Sequence, residues 1–457
     1  MTYNPDEQYR CTIIRGKSIS KMDDYLSIYA QILNEICPLP SKEFDLAFDK
    51  KLSHYIKDDE KTIKNHRTEN AGQILGMYYE KDNIIYCSER TIKFIGDNDQ
   101  PAFFKSVCFK FQQPNGSQKT NTIEGKVNHK VNFKPNHFVL SLLKLAASKK
   151  MVLLKDEVGY YVLNSLQVLQ GKIKVEEVLK EIIANRAKKI HNRVETPGQN
   201  AAYDRQHINE QFDYLELANL IRKDAKSIWI NPSEILTINL FEKDLSKPLA
   251  IDYRRYDFSK KGIGKTITLE WQEYFGEISE EEKRTFTTSV SSLIISAPDE
   301  VAPAFPVIST VELGDDGEDF VIRYEREIVK AFQPRLVNKI NHLGKTKGLG
   351  YDITSIEANR NKKQPEFTRY IEVKATKRVH PPDFTNIKDR IYLTRNEWVA
   401  AEQNATHYYI YRVYFTSKGT FINIIKDPVQ KNNDGILYAV PLEYSLEFDE
   451  SAVDEKL

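Results

Sequence analysis

Apolar and polar positions along the chain follow a helical rhythm in its first part and a mixed helix and strand rhythm in its last third. Apolar side chains at helical spacing predict helices over 22–35, 44–56, 70–78, 88–94, 101–111, 136–148 and 174–194. Extended patterns over 83–87, 151–154 and 160–163 predict short strands, and the last two are expected to form a hairpin. Small helices mixed with short strands are typical of helix-turn-helix or winged-helix modules.

Loop, turn and linker signals separate these elements. The segment 114–135 is basic and loop-like, and Pro-Gly-Gln-Asn at 197–200 predicts a boundary. The stretches 234–258 and 265–295 have a strand-rich or mixed pattern. Three prolines in ten residues make 297–306 the clearest linker of the chain.

Together these signals predict a multidomain α+β protein, because a chain of 457 residues is too long for one ordinary core. The expected parts are a helical N-terminal segment (1–60), two winged-helix-like DNA-binding modules (61–135 and 136–200), a mixed α/β middle region (201–300), a C-terminal α/β domain (312–440) and an acidic tail (441–457).

The pattern with the most chemical content lies in the C-terminal domain. The segments 350–353 and 369–376 are apolar and β-branched with a charged stretch between them, which predicts two neighbouring strands joined by an exposed loop. Because side chains alternate along a strand, Glu372 and Lys374 are expected to project from one face together. Packing alone gives no reason to place an acid and an ammonium group side by side in this way.

Asp352, on the first of these strands, brings a second carboxylate towards Glu372. Two carboxylates suit Mg²⁺, which takes a few carboxylate oxygens, keeps several waters and leaves room for a phosphate. Such a cation lowers the pKa of a bound water, while Lys374 would orient or polarise the nucleophile. The pattern therefore indicates phosphodiester hydrolysis, and the competing interpretation is a surface ribbon with solvated charges.

A predicted helix over 318–333 precedes these strands and carries acids near its apolar face. Glu318, Glu325 and Glu327 all flank that face, and periodicity alone does not choose among them. Basic residues surround the two strands and are expected to position a phosphate backbone. They are Arg335, Lys339, Lys345, Lys347, Arg360, Lys362, Lys363, Arg369, Lys377 and Arg378.

Four motifs in this region resemble the domain found at the C-terminus of the NO VEIN protein. They are 350–353 (Gly-Tyr-Asp-Ile), 370–374 (Tyr-Ile-Glu-Val-Lys), 393–398 (Leu-Thr-Arg-Asn-Glu-Trp) and 408–413 (Tyr-Tyr-Ile-Tyr-Arg-Val). That domain is similar to the PD-(D/E)xK nuclease superfamily, whose fold occurs in many restriction enzymes and Holliday junction resolvases. The resemblance covers about 120 residues and implies a restriction-endonuclease-like α/β domain with a mixed sheet.

The same resemblance implies roles for particular residues. Asp352, Glu372 and the Val373 carbonyl would hold Mg²⁺, with Mn²⁺ as a substitute, and Lys374 would orient the attacking water. The helix acid just after a glycine is the functional one in resolvase-like members, which favours Glu318 over Glu325.

Composition and charge are compatible with a nuclease that acts on DNA, but they do not require one. The formal net charge of +1 neither requires nor excludes a polyanionic partner, since local patches matter more than the sum. Four widely spaced cysteines, Cys11, Cys37, Cys87 and Cys108, fit free thiols in a reducing compartment. No apolar run approaches the length of a membrane span, so we expect a cytoplasmic protein.

The expected function is that of a Mg²⁺-dependent DNA endonuclease of a bacterial restriction or phage-defence system. Double-stranded DNA would be its partner, and a double-strand cut predicts a homodimer, at least transiently on DNA. One alternative is a non-cleaving DNA-binding protein in which the nuclease fold is a scaffold. Another, which the resemblance implies because that domain often accompanies such genes, is a nuclease subunit with a partner methyltransferase or ATPase. Gly-Ile-Gly-Lys-Thr at 262–266 lacks the first glycine of a phosphate-binding loop, so any ATP dependence would have to come from another chain.

Overall fold

The computed structural model describes residues 8–9, 22–195, 200–294, 317–344, 348–382 and 389–439. Several sequence predictions lie outside these residues: most of the turn at 197–200, the linker over 297–306, the acidic tail over 441–457, and the side chains of Cys11, Lys345 and Lys347.

The chain forms two compact units. The first comprises Met1–Asp316, Ala375–Arg390 and Val413–Phe421. The second comprises Gly317–Lys374, Ile391–Arg412 and Ile422–Leu457. The finer domain boundaries expected from the sequence stay predictions.

The first unit is mainly helical. Its α-helices are α1 (Met22–Ile36), α2 (Ser41–Leu52), α3 (Glu60–Asn65), α4 (Glu89–Asp97), α5 (Gln100–Lys110), α6 (Thr120–Asn128), α7 (Pro135–Ser148), α8 (Lys155–Val158), α9 (Leu166–Leu169), α10 (Val175–Ala187), α11 (Asn200–Leu217), α12 (Ile235–Leu245), α13 (Ile263–Gly276), α14 (Glu280–Thr285) and α15 (Val290–Leu293). The described residues of this unit also form two π-helical segments, His66–Ile74 and Gly159–Leu163, and two short 3-10 segments, Pro232–Glu234 and Tyr253–Arg255.

Polar residues at the helix starts fix several of these boundaries. The side chain of Asp59 accepts a hydrogen bond from Thr62 N at 2.8 Å at the start of α3. Asp99 accepts one from Ala102 N at 2.9 Å at the start of α5. Each cap satisfies a backbone N–H group that the helix itself leaves without a partner.

Two small antiparallel sheets in this unit share one plan. The first contains β1 (Leu39–Pro40), β2 (Tyr78–Lys81) and β3 (Ile84–Cys87), and the second contains β4 (Leu153–Leu154), β5 (Ile221–Lys223) and β6 (Ser227–Ile230). In each sheet a two-residue strand pairs with the second strand of a hairpin formed much later in the chain, giving the orders β1-β3-β2 and β4-β6-β5.

One hydrophobic cluster of buried residues runs through this unit from Met22 to Phe286. Trp271 is 1% exposed and stacks on Phe275 with ring centroids 4.8 Å apart. Large aromatic side chains such as these contribute much of the apolar area that a core removes from water.

Three sequence predictions for the first unit are wrong. Residues 160–163 lie in a π-helix rather than in a hairpin with 151–154, and β4 pairs with β6 instead. A short, fully buried apolar run has no periodicity that separates strand from helix. The basic segment 114–135 contains α6. The stretches 234–258 and 265–294 contain helices, turns and irregular segments but no strand, although 234–258 and 265–295 were expected to be strand-rich or mixed.

The second unit contains the predicted α/β elements. Its helices are α16 (Gly317–Phe332), α17 (Arg395–Asn404) and α18 (Pro428–Asn433), with 3-10 segments at Pro334–Lys339, Ala358–Arg360 and Ala405–His407. The C-terminal strands are β7 (Asn341–His342), β8 (Ile353–Ile356), β9 (Thr368–Lys377), β10 (Tyr408–Thr416) and β11 (Gly419–Lys426). They form a mixed five-stranded sheet in the order β11-β10-β9-β8-β7, so the predicted α+β class is confirmed.

The strand pair around the Glu-x-Lys motif has the predicted arrangement. β8 and β9 are antiparallel, with Ile353 opposite Ile371. At the entry to β8, Gly350 has a φ of +75°, and a Cβ atom there would lie 2.4 Å from the carbonyl oxygen of Asn396. Only glycine allows this close approach, which brings the start of α17 directly against the beginning of β8.

No helix among the described residues is both long enough and apolar enough to cross a membrane.

Candidate active site

Glu372 and Lys374 lie side by side on β9, as the alternation of the strand predicts. Lys374 Nζ is 2.6 Å from Glu372 Oε1. Glu372 is only 3% exposed, so this ion pair is largely removed from water. This burial argues against a solvated surface ribbon, because the Glu372 carboxylate is not hydrated as it would be on a surface and the Lys374 side chain is only 23% exposed.

Asp352 is held against the same strand by the backbone. Its Oδ2 atom accepts a hydrogen bond from Val373 N at 2.8 Å. Its own N–H donates to the Ile371 carbonyl at 2.9 Å. The residue that precedes β8 is therefore locked beside the Glu-x-Lys segment of β9.

The two carboxyl groups share an environment that opposes negative charge. Burial raises the pKa of Asp352 to about 6, and the negative charges of Glu318 and Glu397 add to this effect. Burial also raises the pKa of Glu372, against the opposing charge of Lys374 and with the support of Asp352 and Glu397. Carboxylates that burial and like charges destabilise in this way are typical of sites that receive a cation.

Lys374 remains a cation in this setting. Burial disfavours its charged form, but the carboxylates of Glu372 and Glu397 outweigh that effect and raise the pKa of Lys374 above its ordinary value. Glu397 Oε2 lies 3.0 Å from Lys374 Nζ. From the sequence, Glu397 is recognised only as part of the motif at 393–398 and has no predicted role, since spacing along the chain does not show which residues this segment contacts.

The structure places the two candidate helix acids in different surroundings. Glu318, at the start of α16, has its Oε2 atom 2.6 Å from His342 Nε2 on β7, and its charge acts on Asp352. A Cβ atom on Gly344 would lie 2.0 Å from Glu318 Oε2, so glycine leaves the room that this carboxylate occupies.

Glu325 is instead fully buried in a bidentate ion pair, with Arg360 Nη1 and Nη2 each 2.7 Å from its oxygens. Tyr411 donates a further hydrogen bond to the same carboxylate at 2.7 Å. These three hydrogen bonds occupy the Glu325 carboxylate and tie α16 to the sheet. Of the two acids, only Glu318 lies where its charge acts on Asp352.

Two basic residues that were expected to face DNA have structural partners. Arg360 pairs with Glu325, and Arg369, which is 3% exposed, lies 2.9 Å from Glu357. Arg369 also lies over the ring of Tyr409, 3.5 Å from its centroid. The prediction that these two arginines position a phosphate backbone is therefore wrong, because their charges are already satisfied inside the domain.

The carboxylates of this site suit a hard divalent cation, although their oxygens are not arranged as a complete metal-binding site. Asp352, Glu372 and Glu318 offer carboxylate oxygens, the ligands that Mg²⁺ prefers. Among the described residues, no group of three or more His, Cys, Asp and Glu side chains is already placed to hold a metal ion. Burial raises the pKa values of Asp352 and Glu372, and a bound cation would offset the cost of burying their negative charges.

Comparison with known proteins gives matches in both parts of the chain. The family model of the N-terminal part of restriction endonuclease BpuJI matches residues 3–271, more than half of the chain. The model of the C-terminal part of the protein NO VEIN matches residues 317–425. This second match confirms the resemblance that the four sequence motifs indicated. No curated protein matches the chain.

Among solved structures, a crystal structure of the BpuJ1 endonuclease binding domain in complex with pyrene- and phenanthrene-modified DNA is similar to this chain. It is 44% identical with a TM-score of 0.58, and the match covers 60% of this chain and 100% of that chain.

Proposed function

We propose, since the chain belongs to the restriction endonuclease BpuJI N-terminal family, that it is a restriction-type endonuclease. In this proposal the first unit binds double-stranded DNA and the second unit hydrolyses phosphodiester bonds with Mg²⁺. The observation that carries the proposal is the convergence of Asp352, Glu372 and Lys374 in a partly buried site.

Each residue of the site would have a distinct task. Asp352 and Glu372 would hold the cation, the Val373 carbonyl would add an oxygen, and Glu318 would bind through water. When bound, the cation supplies a water of lowered pKa and neutralises charge on the phosphate. The Lys374 ammonium would donate a hydrogen bond to the attacking water or to a phosphate oxygen, and so fix its direction of approach.

Support for DNA binding comes from the first unit. The similar solved domain is bound to DNA, and its full length matches this chain at 44% identity. The two sheets with one shared plan support two winged-helix-like modules, but the second hairpin, β5–β6, lies beyond the expected boundary of the second module at residue 200, so that module would have to extend to the end of β6. Their wings would be the hairpins β2–β3 and β5–β6, and α3 with the π-helix His66–Ile74 would be the helical element before the first wing.

Exposed lysines on that element fit contact with a phosphate backbone. Lys61 and Lys64 are both exposed on α3, while Ile63 between them is buried in the core. Lysines in such a position contribute affinity that depends on salt, because each phosphate that they neutralise releases a counterion.

A single site of this kind cuts one strand, so a double-strand cut would need two copies of the chain. We therefore propose a homodimer, at least transiently on DNA, whose cleavage rate per enzyme rises with enzyme concentration. A partner methyltransferase or ATPase stays a prediction.

The direct test is cleavage of methylated and unmethylated plasmid DNA in Mg²⁺, in Mn²⁺ and in EDTA. The proposal expects nicked or linear product with either cation on at least one substrate, and intact plasmid in EDTA. Intact plasmid with both cations on both substrates, under conditions where the protein binds the DNA, would contradict the nuclease proposal.

One observation favours a second candidate, a DNA-binding protein that does not cleave. The ammonium of Lys374 already pairs with Glu372, and no complete metal cage exists among the described side chains. If the fold serves only as a scaffold, calorimetry will show no Mn²⁺ binding at the site, and substitution of Asp352 will leave all measured properties on DNA unchanged.

A further inference from the structure

Lys374 lies between two carboxylates that come from different elements. Its Nζ atom is 2.6 Å from Glu372 Oε1 on β9 and 3.0 Å from Glu397 Oε2 on α17. The side chain of Glu397 is 15% exposed, so this second ion pair is also shielded from bulk water.

The carboxylate of Glu397 is held in place by the first turn of its own helix. Its Oε2 atom accepts a hydrogen bond from Thr394 N at 2.9 Å, while Thr394 Oγ1 accepts one from Glu397 N at 3.3 Å. This reciprocal pair is a capping box, which fixes the start of a helix. The same oxygen therefore caps α17 and contacts the lysine.

The start of α17 is itself fixed against Gly350, two residues before Asp352. Gly350 has a positive φ and lies directly against the carbonyl oxygen of Asn396. Tyr408 donates a hydrogen bond to the Gly350 carbonyl at 2.8 Å. Glu397 therefore has a defined position relative to both Asp352 and Glu372, which a solvated side chain on a helix surface would not have.

We propose that Glu397 is a positioning residue that holds the Lys374 ammonium in place when a divalent cation binds the carboxylate of Glu372. This inference rests on the proposed nuclease function. A cation at Glu372 competes with Lys374 for the same carboxylate oxygens and repels the ammonium. Without a second anchor the lysine would swing away from the attacking water, and Glu397 supplies that anchor from a rigid capping box.

The conservative variant Glu397→Gln separates this role from helix capping. The glutamine side-chain oxygen still accepts the hydrogen bond from Thr394 N, because glutamine also serves in capping boxes. It no longer carries the charge that holds the ammonium. We expect kcat to fall on the order of tenfold to a hundredfold, as is typical when an outer partner of a metal site is removed, with little change in KM or in Tm.

Thr394→Ala is the matched control for a purely structural role. It removes the acceptor for Glu397 N and weakens the cap, but leaves the carboxylate of Glu397 beside Lys374. We expect a lower Tm and an unchanged kcat at a temperature where the fold is intact. If Thr394→Ala lowers kcat as much as Glu397→Gln does, the residue acts only on the fold and the inference fails.

A second readout does not depend on cleavage. In Glu397→Gln, Lys374 keeps Glu372 as its one carboxylate partner, so a cation must displace a tighter ion pair. We expect the Kd for Mn²⁺, measured by calorimetry without DNA, to rise several-fold. In a Lys374→Ala background the same substitution should raise the Kd for Mn²⁺ by much less, because only the direct effect of the Glu397 charge on Asp352 and Glu372 is then lost, and it should leave the residual cleavage unchanged.

These measurements separate the inference from the proposed function. A wild-type protein that cleaves no DNA in any divalent cation overturns the nuclease function, and the Kd for Mn²⁺ then decides the role of Glu397 on its own. If wild type cleaves and Glu397→Gln matches it in both kcat and Kd, the inference alone is overturned. Equal effects of the substitution with and without Lys374 would also overturn it.

Discussion

Replacement of Asp352 by asparagine should stabilise the protein while it abolishes cleavage. The wild-type carboxyl is partly buried beside Glu318 and Glu397, and burial raises its pKa from 3.8 to about 6. Asparagine has nearly the same shape, and its side-chain oxygen can keep the hydrogen bond from Val373 N. The substitution therefore removes the unfavourable charge with little change in packing.

The size of this effect follows from the shift in pKa. A shift of about two units corresponds to about 3 kcal/mol, at about 1.4 kcal/mol per unit. Because Asp352 is not fully buried, solvent screening reduces this figure, and we expect about 1–2 kcal/mol. With an unfolding entropy of about 2.1 cal/mol/K per residue, a cooperative transition of all 457 residues would gain roughly 1–2 °C in Tm.

The dependence on pH has a definite sign. A carboxyl whose pKa is higher in the folded state favours folding below its unfolded pKa, near 4, and loses that contribution as the pH rises through about 6. The stability of wild type relative to Asp352→Asn should therefore fall between pH 4 and pH 7 and stay constant above pH 7.

Thermal unfolding in EDTA and in Mg²⁺, at pH 5 and pH 7.5, tests this reasoning. In EDTA the variant should have the higher Tm, by more at pH 7.5 than at pH 5. Mg²⁺ should raise the Tm of wild type alone, because a ligand stabilises only the state that binds it.

The exposed acid Asp319 on α16 provides the control, and Asp319→Asn should leave Tm unchanged or slightly lower. A variant Asp352→Asn that melts several degrees below wild type in EDTA at pH 7.5 would refute the argument from burial.

Two further predictions concern the ion pair inside the second unit and the basic surface of the first. Arg360→Met leaves the fully buried carboxylate of Glu325 without its partner, and should lower the free energy of unfolding in urea by about 3–5 kcal/mol; a loss below about 1 kcal/mol would show that the pair contributes little. Lys64→Ala should weaken binding to all DNA sequences and reduce the slope of log K against log salt by about 1, whereas the exposed lysine variant Lys243→Ala should leave both unchanged. An unchanged slope for Lys64→Ala would remove α3 from the proposed DNA surface.

Local sequence patterns correctly predicted how the charged residues of the second unit are arranged on its strands. Alternation along one strand was enough to place Glu372 beside Lys374, and the structure confirms this. Residues two apart on a strand project from the same face, so the spacing of these two residues was sufficient. The upstream position of Asp352 at the entry to a neighbouring strand was also confirmed.

What the sequence could not provide were partners that are distant along the chain. Arg360 and Arg369 looked like a basic rim, but each pairs with an acid that the fold brings to it. Glu397 acquires its contact with Lys374 only because α17 packs against the entry to β8. Such contacts depend on tertiary packing, which local periodicity does not encode.

The same limit explains the wrong hairpin in the first unit. Residues 160–163 are buried on all sides, so their uniform apolar pattern suits a strand or a helix equally. The strand that β4 pairs with, β6, lies more than seventy residues further along the chain.

Single-turnover cleavage of plasmid DNA by wild type and by Lys374→Ala, with DNA binding measured on the same samples, shows whether the site formed by Asp352, Glu372 and Lys374 cuts DNA. Wild type should cut in Mg²⁺ and not in EDTA. Lys374→Ala should bind DNA with an unchanged Kd and cut at least about a hundredfold more slowly than wild type. Cleavage by Lys374→Ala at the wild-type rate, or cleavage by wild type in EDTA, would refute the proposed role of this site.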